Sequence, residues 1–561
     1  MEYRNYTLGV WGKGCYGSNS IFSTQRVLLT WITDHGRMKK EASMPRLRLI
    51  KYSLLLLVFI ITLSCRQSIQ PISIPTLTYN TTTPDPTAIV EPDPTIVTFL
   101  PVVRNPDDVT IVSPTPDVAR ELPEIRSQEE TYIAQVGDSV GSIAARHGIT
   151  AQMLIKANQI ANPDLLEVGQ ELIIPAPIPG ETGAGFKIIP DSELIYGPYA
   201  QSFDVQGFVK RYDSYLSRYS GDVEGQTFSG PEIVQLVAQD YSVNPRVLLA
   251  VLEYQSGWVT KANPAQEVRD FPIGNRDNWR KGLYLQLAWA ADMLNRGYYL
   301  WKVDGIGGWL LSDGEIIPID PSINAGTAGV QQLFAQLYNR SGWDYAVSAD
   351  GLFATFSSFF GHPFDYAYEP LIPENLEQPV MQLPFESNVD WAFTGGPHGG
   401  WGEGSAWAAL DFAPGRQGQG CVLSDDWVVA VADGLIIRTD QGRVIQDLDN
   451  DGNEGTGWIV LYMHIEGRDR VQAGTYLKAG ERIGHPSCTG GYSTGTHLHL
   501  ARRYNGEWIP ADQEQAGNGL PFNLDGWVSS GNGIEYDGFL DRDGESIEAL
   551  EGYYPENTVQ R

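Results

Sequence analysis

The chain has 561 residues, too many for one hydrophobic core, and three folded units plus tails are expected. Lys and Arg total 39 against 68 Asp and Glu, a net charge of −29 that excludes a basic nucleic-acid footprint, so no nucleic-acid partner is expected. Plentiful glycine (60), tryptophan (15) and tyrosine (27) suit loop-rich β domains and aromatic carbohydrate-binding surfaces, without deciding between them.

Taken in chain order, the first feature is an export signal at 44–65. Arg46, Arg48 and Lys51 precede an apolar run over 53–64 that is too short to span a bilayer comfortably. A complete signal preceded by residues 1–43 implies a mis-assigned start, with Met44 or Met38 the true one. Leu63-Ser64-Cys65 resembles a bacterial lipoprotein signal, which implies lipidation of Cys65 and a membrane anchor. Thr62 departs from that motif, which usually has a branched aliphatic residue there. An ordinary signal peptide and an uncleaved anchor stay open; all three readings export the chain, to the outer face of the membrane or beyond. Residues 66–128 are rich in Thr, Pro, Ser and Asp and read as a disordered, semi-rigid tether.

Residues 130–176 read as a small β-α-α-β unit. A strand at 131–135 is followed by a helix that Asp138 can N-cap, with Val140, Ile143 and Ala144 as its apolar face. Thr150 caps a second helix carrying Met153, Leu154 and Ala157, and a strand at 172–174 closes the unit. Gly137-Asp138-Ser139, Ile143-Ala144, Leu154, Ala157-Asn158, Asn162-Pro163 and Val168-Gly169-Gln170 resemble the LysM domain in order and spacing. The resemblance implies binding of N-acetylglucosamine-containing glycans in a groove formed by Gly137, Asp138 and Ser139 on one side and Ile160, Asn162 and Pro163 on the other. A LysM fold that only spaces its neighbours is the alternative.

Residues 195–372 are mostly helical. Helices are predicted from Ser229, from Asn244, over 285–294 and over 324–337, each with apolar spacing near 3.6. NPRVLLAVLEYQSGW is similar to the catalytic helix of lysozyme-like transglycosylases, in which a glutamate directly precedes the serine as general acid. Here Gln255 precedes Ser256, and an amide cannot give up a proton in that role. Glu253 lies about 200° away around the helix. The segment reads as a glycan-accommodating lysozyme-like domain without glycosidic catalysis, or as a structural domain.

From about residue 383 the pattern changes to short strands and glycine turns, and the fold class is mainly antiparallel β. Five of the eight histidines fall between His398 and His499. In STGTHLHL, His497 and His499 share one face of a strand while Leu498 and Leu500 take the other. In GWIVLYMHIE, alternation groups His464 with Val460 and Tyr462, opposite Ile459, Leu461 and Met463. Asp411 stands in an apolar Ala-Ala-Leu-Asp-Phe strand, where a carboxylate needs a partner charge or a metal.

Leu410-Asp411-Phe412, Tyr462-Met463-His464, the Ala-Gly…Lys-Ala-Gly connector and Ser493-Thr-Gly-Thr-His497-Leu-His499 together resemble the M23 zinc metallopeptidases of the lysostaphin type, over about 385–525. The resemblance implies one zinc held by His398, Asp411 and His499, with His464 and His497 as the catalytic pair. Two nitrogens and one carboxylate oxygen leave a fourth tetrahedral position for water. His497 could take that water's proton and His464 could hydrogen-bond the developing oxyanion, a division of labour the residues alone do not settle. The first histidine of the family usually stands four residues before the aspartate. That position is Trp407, and His398 lies thirteen before Asp411, so GGWGEGSAW must loop out for His398 to reach the metal.

In an exported chain, Cys421 and Cys488 are expected to pair beside the cleft. Asp447, Asp449 and Asp451 look like the start of a calcium loop, but Trp458 occupies its twelfth position, and an exposed acidic hairpin tip fits the same residues.

The expected architecture is a LysM unit, a helical domain and a peptidase domain at 383–530, with a tail at 531–561. The expected function is a zinc endopeptidase acting on peptidoglycan peptides, with peptidoglycan and, through a lipid anchor, the membrane as partners. A non-catalytic wall-binding lipoprotein with a degenerate M23 domain is the alternative.

Overall fold

The structure is a computed structural model that describes residues 116–561 apart from 136, 164, 416–419 and 513–519. The start at Met44, the signal with Cys65 and most of the tether lie outside the described residues. The end of the tether is not free. Residues 117 and 120 donate backbone N–H groups to Ser322 and Pro321, and Arg120 pairs with Asp304 at 2.6 Å and lies over the Trp301 ring.

In the LysM unit, β1 (Glu130–Ile133) pairs antiparallel with β2 (Glu171–Ile174) across α1 (Val140–Arg146) and α2 (Ala151–Asn158). Ile143, Leu154, Leu172 and Ile174 fill its core. Thr150 caps α2 as expected, but Asp138 does not cap α1. Its carboxylate accepts from Tyr132, Gln135 N–H and Arg146, and the hydroxyl of Ser139 accepts the Ser142 N–H instead.

The helical domain is built on α3 (Gly230–Tyr241), α4 (Pro245–Ser256), α5 (Leu283–Lys302), α6 (Ala325–Ala335) and α7 (Leu352–Phe360). Local chemistry sets their ends. Ser229 and Glu232 form a capping box at the start of α3, the Asn244 side chain accepts the Arg246 N–H at the start of α4, and Gly257 ends α4 with a left-handed φ of 68°.

The C-terminal domain is built on one large antiparallel sheet. In chain order its strands are β3 (Asp390–His398), β4 (Ala409–Pro414), β5 (Gly434–Asp440), β6 (Arg443–Asp447), β7 (Trp458–Met463), β8 (Tyr476–Leu477), β9 (Leu498–Tyr504), β10 (Glu507–Trp508) and β11 (Thr558–Gln560). Their spatial order is β8-β5-β6-β7-β9-β4-β3-β11, with β10 paired to β9. Residues 531–561 are therefore not a tail. They supply β11 at the sheet edge, where Val559 pairs with Trp391, and two strands of a smaller sheet, Gly538–Arg542 and Glu545–Glu548.

The period of two divides the large sheet into two faces. Leu410, Phe412, Val460, Tyr462, Leu498 and Leu500 belong to the core of the C-terminal domain. Ile445, Ile459, Leu461, Met463, Ala501 and Trp508 face the other way and merge with the core of the helical domain. Ion pairs fasten the same interface: Asp240 at the end of α3 meets Arg438 at 2.9 Å and Arg443 at 2.6 Å, and Glu454 meets Arg438 and Arg503.

The hairpin tip between β6 and β7 does not support the calcium reading. Asp447 accepts the backbone N–H groups of Asp449, Asn450 and Gly452, and Asp451 accepts from Asn453 N–H and the Thr456 hydroxyl. Burial and the neighbouring Asp447 push Asp449 up to about 8. At the twelfth position, Trp458 opens β7 and packs its ring against Tyr504.

Asp240 is buried between two guanidinium groups, so Asp240→Ala removes their shared carboxylate and leaves Arg438 to Glu454 and Arg443 to Asp440. It is expected to lower the stability of the full chain by about 1.5–3 kcal/mol in denaturant unfolding. A loss below 1 kcal/mol would show that the interface does not depend on this charge.

Candidate metal centre

Each functional side chain is placed by a strand of the large sheet or by the residue next to one. Asp411 sits in β4 with Gly395 of β3 as one neighbour and His499 of β9 as the other. A Cβ on Gly395 would come within 2.9 Å of Asp411 Oδ2, so the glycine makes room for the carboxylate. Between Gly395 and His398, β3 carries a bulge, which re-aims His398 over the same face. The residues after His398 loop out and return through Trp407 to β4, so the long spacing still brings His398 to Asp411.

The His-x-His pair obeys strand alternation: Leu498 and Leu500 enter the peptidase core while His499 turns toward Asp411. His464 does not. Alternation would send it into the core with Val460 and Tyr462. It lies one residue past the end of β7 with a left-handed φ of 66°, and this rotation puts its ring 4.4 Å from that of His497 and 6.2 Å from that of His499.

All four imidazoles obey one pattern. His398 Nδ1 lies 2.8 Å from Gly396 O, His499 Nε2 3.1 Å from Gly400 O, His497 Nδ1 2.8 Å from Gly495 O and His464 Nδ1 3.2 Å from Thr489 O. A carbonyl only accepts, so those nitrogens carry the protons, and the other nitrogen of each neutral ring bears a lone pair. His398 Nε2 and His499 Nδ1 are 3.0 Å apart, and each is close to Asp411 Oδ1, at 3.2 and 3.3 Å. That oxygen is buried and has no hydrogen-bond donor. With both rings neutral, three acceptors face one another and can hold a cation between them. A tetrahedral zinc with ligand distances near 2.0–2.1 Å sets its ligands about 3.3 Å apart, and the three atoms fit it.

The charges agree with this arrangement. Burial opposes the Asp411 charge, but His398 and His497 hold its carboxyl well below the usual range. Burial depresses His398, yet the Asp411 charge outweighs it and the net shift is upward. Burial lowers His499, and burial together with His497 and His499 drives His464 down to about 3, so it stays neutral.

A disulfide joins Cys421 to Cys488, as expected. Cys488 precedes Thr489, whose carbonyl holds His464, while Thr496, beside His497, bonds Val422 through its hydroxyl. Tyr536 was missed, because 531–561 reads as a tail. Its backbone bonds Gly396 N–H and Pro397 O, and its ring stacks on His398 at 4.2 Å and 18°.

The other sequence-predicted sites are placed less tellingly. Asp138 and Ser139 are engaged within the LysM unit, Gly137 has a φ of 93°, Ile160 packs on the LysM core, and Asn162 and Pro163 are exposed. In the helical domain the Gln255 carbonyl accepts from Tyr338, and Glu253 accepts from Val259 N–H, Thr260 N–H and the Thr260 hydroxyl, so neither carboxylate nor amide here is arranged as an acid.

Three family models match the chain: the LysM domain over residues 132–175, the LasA N-terminal domain over 187–374 and peptidase family M23 over 419–511. The M23 match contains His464, His497 and His499 but begins after His398 and Asp411. Among known proteins, "Protease LasA" of Pseudomonas aeruginosa is 25% identical over 357 residues, covering 57% of this chain and 74% of the relative. "N-acetylmuramoyl-L-alanine amidase XlyA" of Bacillus subtilis is 31% identical over 119 residues, covering 20% of this chain and 40% of the relative. Among solved structures, the deep-sea M23 metalloprotease pseudoalterin covers 33% of this chain and 99% of its own, at 22% identity and a TM-score of 0.26. Lysostaphin from Staphylococcus simulans covers 32% and 80%, at 18% identity and a TM-score of 0.16.

Metal binding requires His398 neutral, and Asp411 keeps it protonated to a higher pH than usual. Below that raised transition, zinc affinity is expected to fall about tenfold per pH unit, with a proton released on binding, as titration in buffers of different ionisation enthalpy would read. Affinity that stays flat from pH 8 to 5.5 would remove His398 from the ligand set. The chain thus joins a LysM domain, a LasA N-terminal domain and an M23 peptidase domain.

Proposed function

We propose that this chain is a zinc endopeptidase that cuts peptide bonds in peptidoglycan, held at the cell wall by its LysM domain. One observation carries the reading. Three buried atoms, His398 Nε2, His499 Nδ1 and Asp411 Oδ1, converge within 3.0–3.3 Å, and all three are acceptors when both rings are neutral. His398, Asp411 and His499 would hold the metal. A zinc ion there supplies a Lewis acid that polarises a peptide carbonyl and makes water acidic enough to attack near neutral pH.

The remaining work falls to two side chains. His497 offers Nε2 as proton acceptor, 3.7 Å from Asp411 Oδ2, whose charge stabilises the imidazolium formed. The same nitrogen can return the proton to the leaving amine. His464 stays neutral and presents a lone pair. To hydrogen-bond a developing oxyanion it must move its proton from Nδ1 to Nε2, giving up Thr489 O, which at 3.2 Å is the longest of the four carbonyl contacts.

The LysM domain and the printed names of the relatives, a protease and a muramoyl-alanine amidase, support a wall substrate. Export by the segment at 44–65, with Cys65 lipidated, would place the enzyme outside the cell. Among the described residues no helix is long and apolar enough to cross a membrane.

The full chain is expected to carry one zinc and to release new amino groups, not reducing ends, from peptidoglycan. His499→Ala should lose both metal and activity. His497→Ala should keep the metal and lose about 10²–10⁴-fold in rate. A wild-type chain without zinc would leave the non-catalytic wall-binding reading, and reducing ends in place of amines would move the chemistry to the helical domain.

A further inference from the structure

The segment between His398 and Asp411 is where this chain departs from the M23 spacing, and it joins two sites. Residues 399–407 form a loop closed at its neck, where Gly400 N–H donates to Ala406 O at 3.0 Å and Trp401 N–H donates to Ser405 Oγ at 3.0 Å. At that neck the Gly400 carbonyl accepts the Nε2–H of His499, the bond that leaves His499 Nδ1 free for a metal.

The tip of the loop rests on the helical domain. Gly404 N–H donates to Asp292 Oδ1 of α5 at 2.8 Å, and the Trp401 ring meets Tyr241, the last residue of α3, edge-on at 6.3 Å. The contact admits only glycine. A Cβ on Gly402 would lie 2.5 Å from Asp292 Oδ1, and one on Gly404 would lie 1.9 Å from the Asp292 carbonyl oxygen. Asp292 belongs to neither the metal site nor a salt bridge with the loop; burial pushes its carboxyl up to about 6, and the Gly404 N–H is the contact that most opposes that shift.

We propose that Asp292 is a positioning residue for the metal centre: the helical domain holds the 399–407 loop through Gly404, and the loop holds His499 through the Gly400 carbonyl. The helical domain then acts on peptide cleavage through ligand orientation and not through its own chemistry. This rests on reading His398, Asp411 and His499 as zinc ligands.

The test uses the full chain, with zinc affinity measured by chelator competition and the metal-free thermal midpoint measured alongside. Asp292→Ala is expected to weaken zinc binding about tenfold or more, the effect of losing an outer partner of a ligand histidine. Asp292→Asn keeps an oxygen that accepts the Gly404 N–H and should restore affinity to within about threefold of wild type, on the scale of a retained outer partner. Trp401→Ala, which frees the tip without touching Asp292, should weaken binding in the same direction and serves where Asp292→Ala does not fold. Lowered thermal midpoints with unchanged zinc affinity in Asp292→Ala and Trp401→Ala would overturn the proposal, since a merely structural contact does that. A wild-type chain that takes up no zinc would overturn the ligand reading first and this inference with it.

Discussion

One buried carboxylate organises the centre of this protein. Asp411 lies in the middle of an apolar strand, and moving its charge out of water costs several kcal/mol unless something opposite in sign replaces the solvent. The residues about it meet that demand in layers. Gly395 clears space, His398 and His499 bring nitrogens to one of its oxygens, and His497 approaches the other. A strand with leucine or alanine at this position would pack without any of them.

Four backbone carbonyls then decide what the nitrogens can do. By accepting a hydrogen bond from the N–H of one ring nitrogen, each carbonyl leaves the other nitrogen's lone pair facing a common point. None of these carbonyls is in a regular ladder with its histidine. They belong to the bulge of β3 and to turns next to the glycines at 399–400 and 490–495, so the abundance of glycine near the histidines sets backbone direction. The disulfide and the docked 399–407 loop keep two of those turns from relaxing.

Much of this was legible in the residues, and the limits have physical causes. The His497/His499 face, the burial of Asp411, the four helices and the Cys421–Cys488 pair follow from period, capping and compartment. Alternation gave the wrong face for His464, because a single left-handed residue after β7 reverses its direction and nothing local demands φ > 0 from histidine. Tyr536 and β11 were unreadable because their partners are at 391–398, and strand pairing over such a separation leaves no local periodic trace. The merged core of the two larger domains was equally hidden: Ile459, Leu461 and Met463 look like the outer face of a sheet until another domain covers them.

That merged core has an order in time. The strand carrying His398 pairs on one side with β4 and on the other with β11, made from residues 558–560. Contacts of such sequence separation form late, after their loop-closure entropy has been met. During synthesis the helical domain is complete long before the sheet edge exists, and it presents an apolar surface on which β7 and β9 can settle as they emerge. The candidate metal centre, which takes His398 from β3 and His499 from β9, thus closes only when residues 101 apart in sequence have been brought to either side of β4.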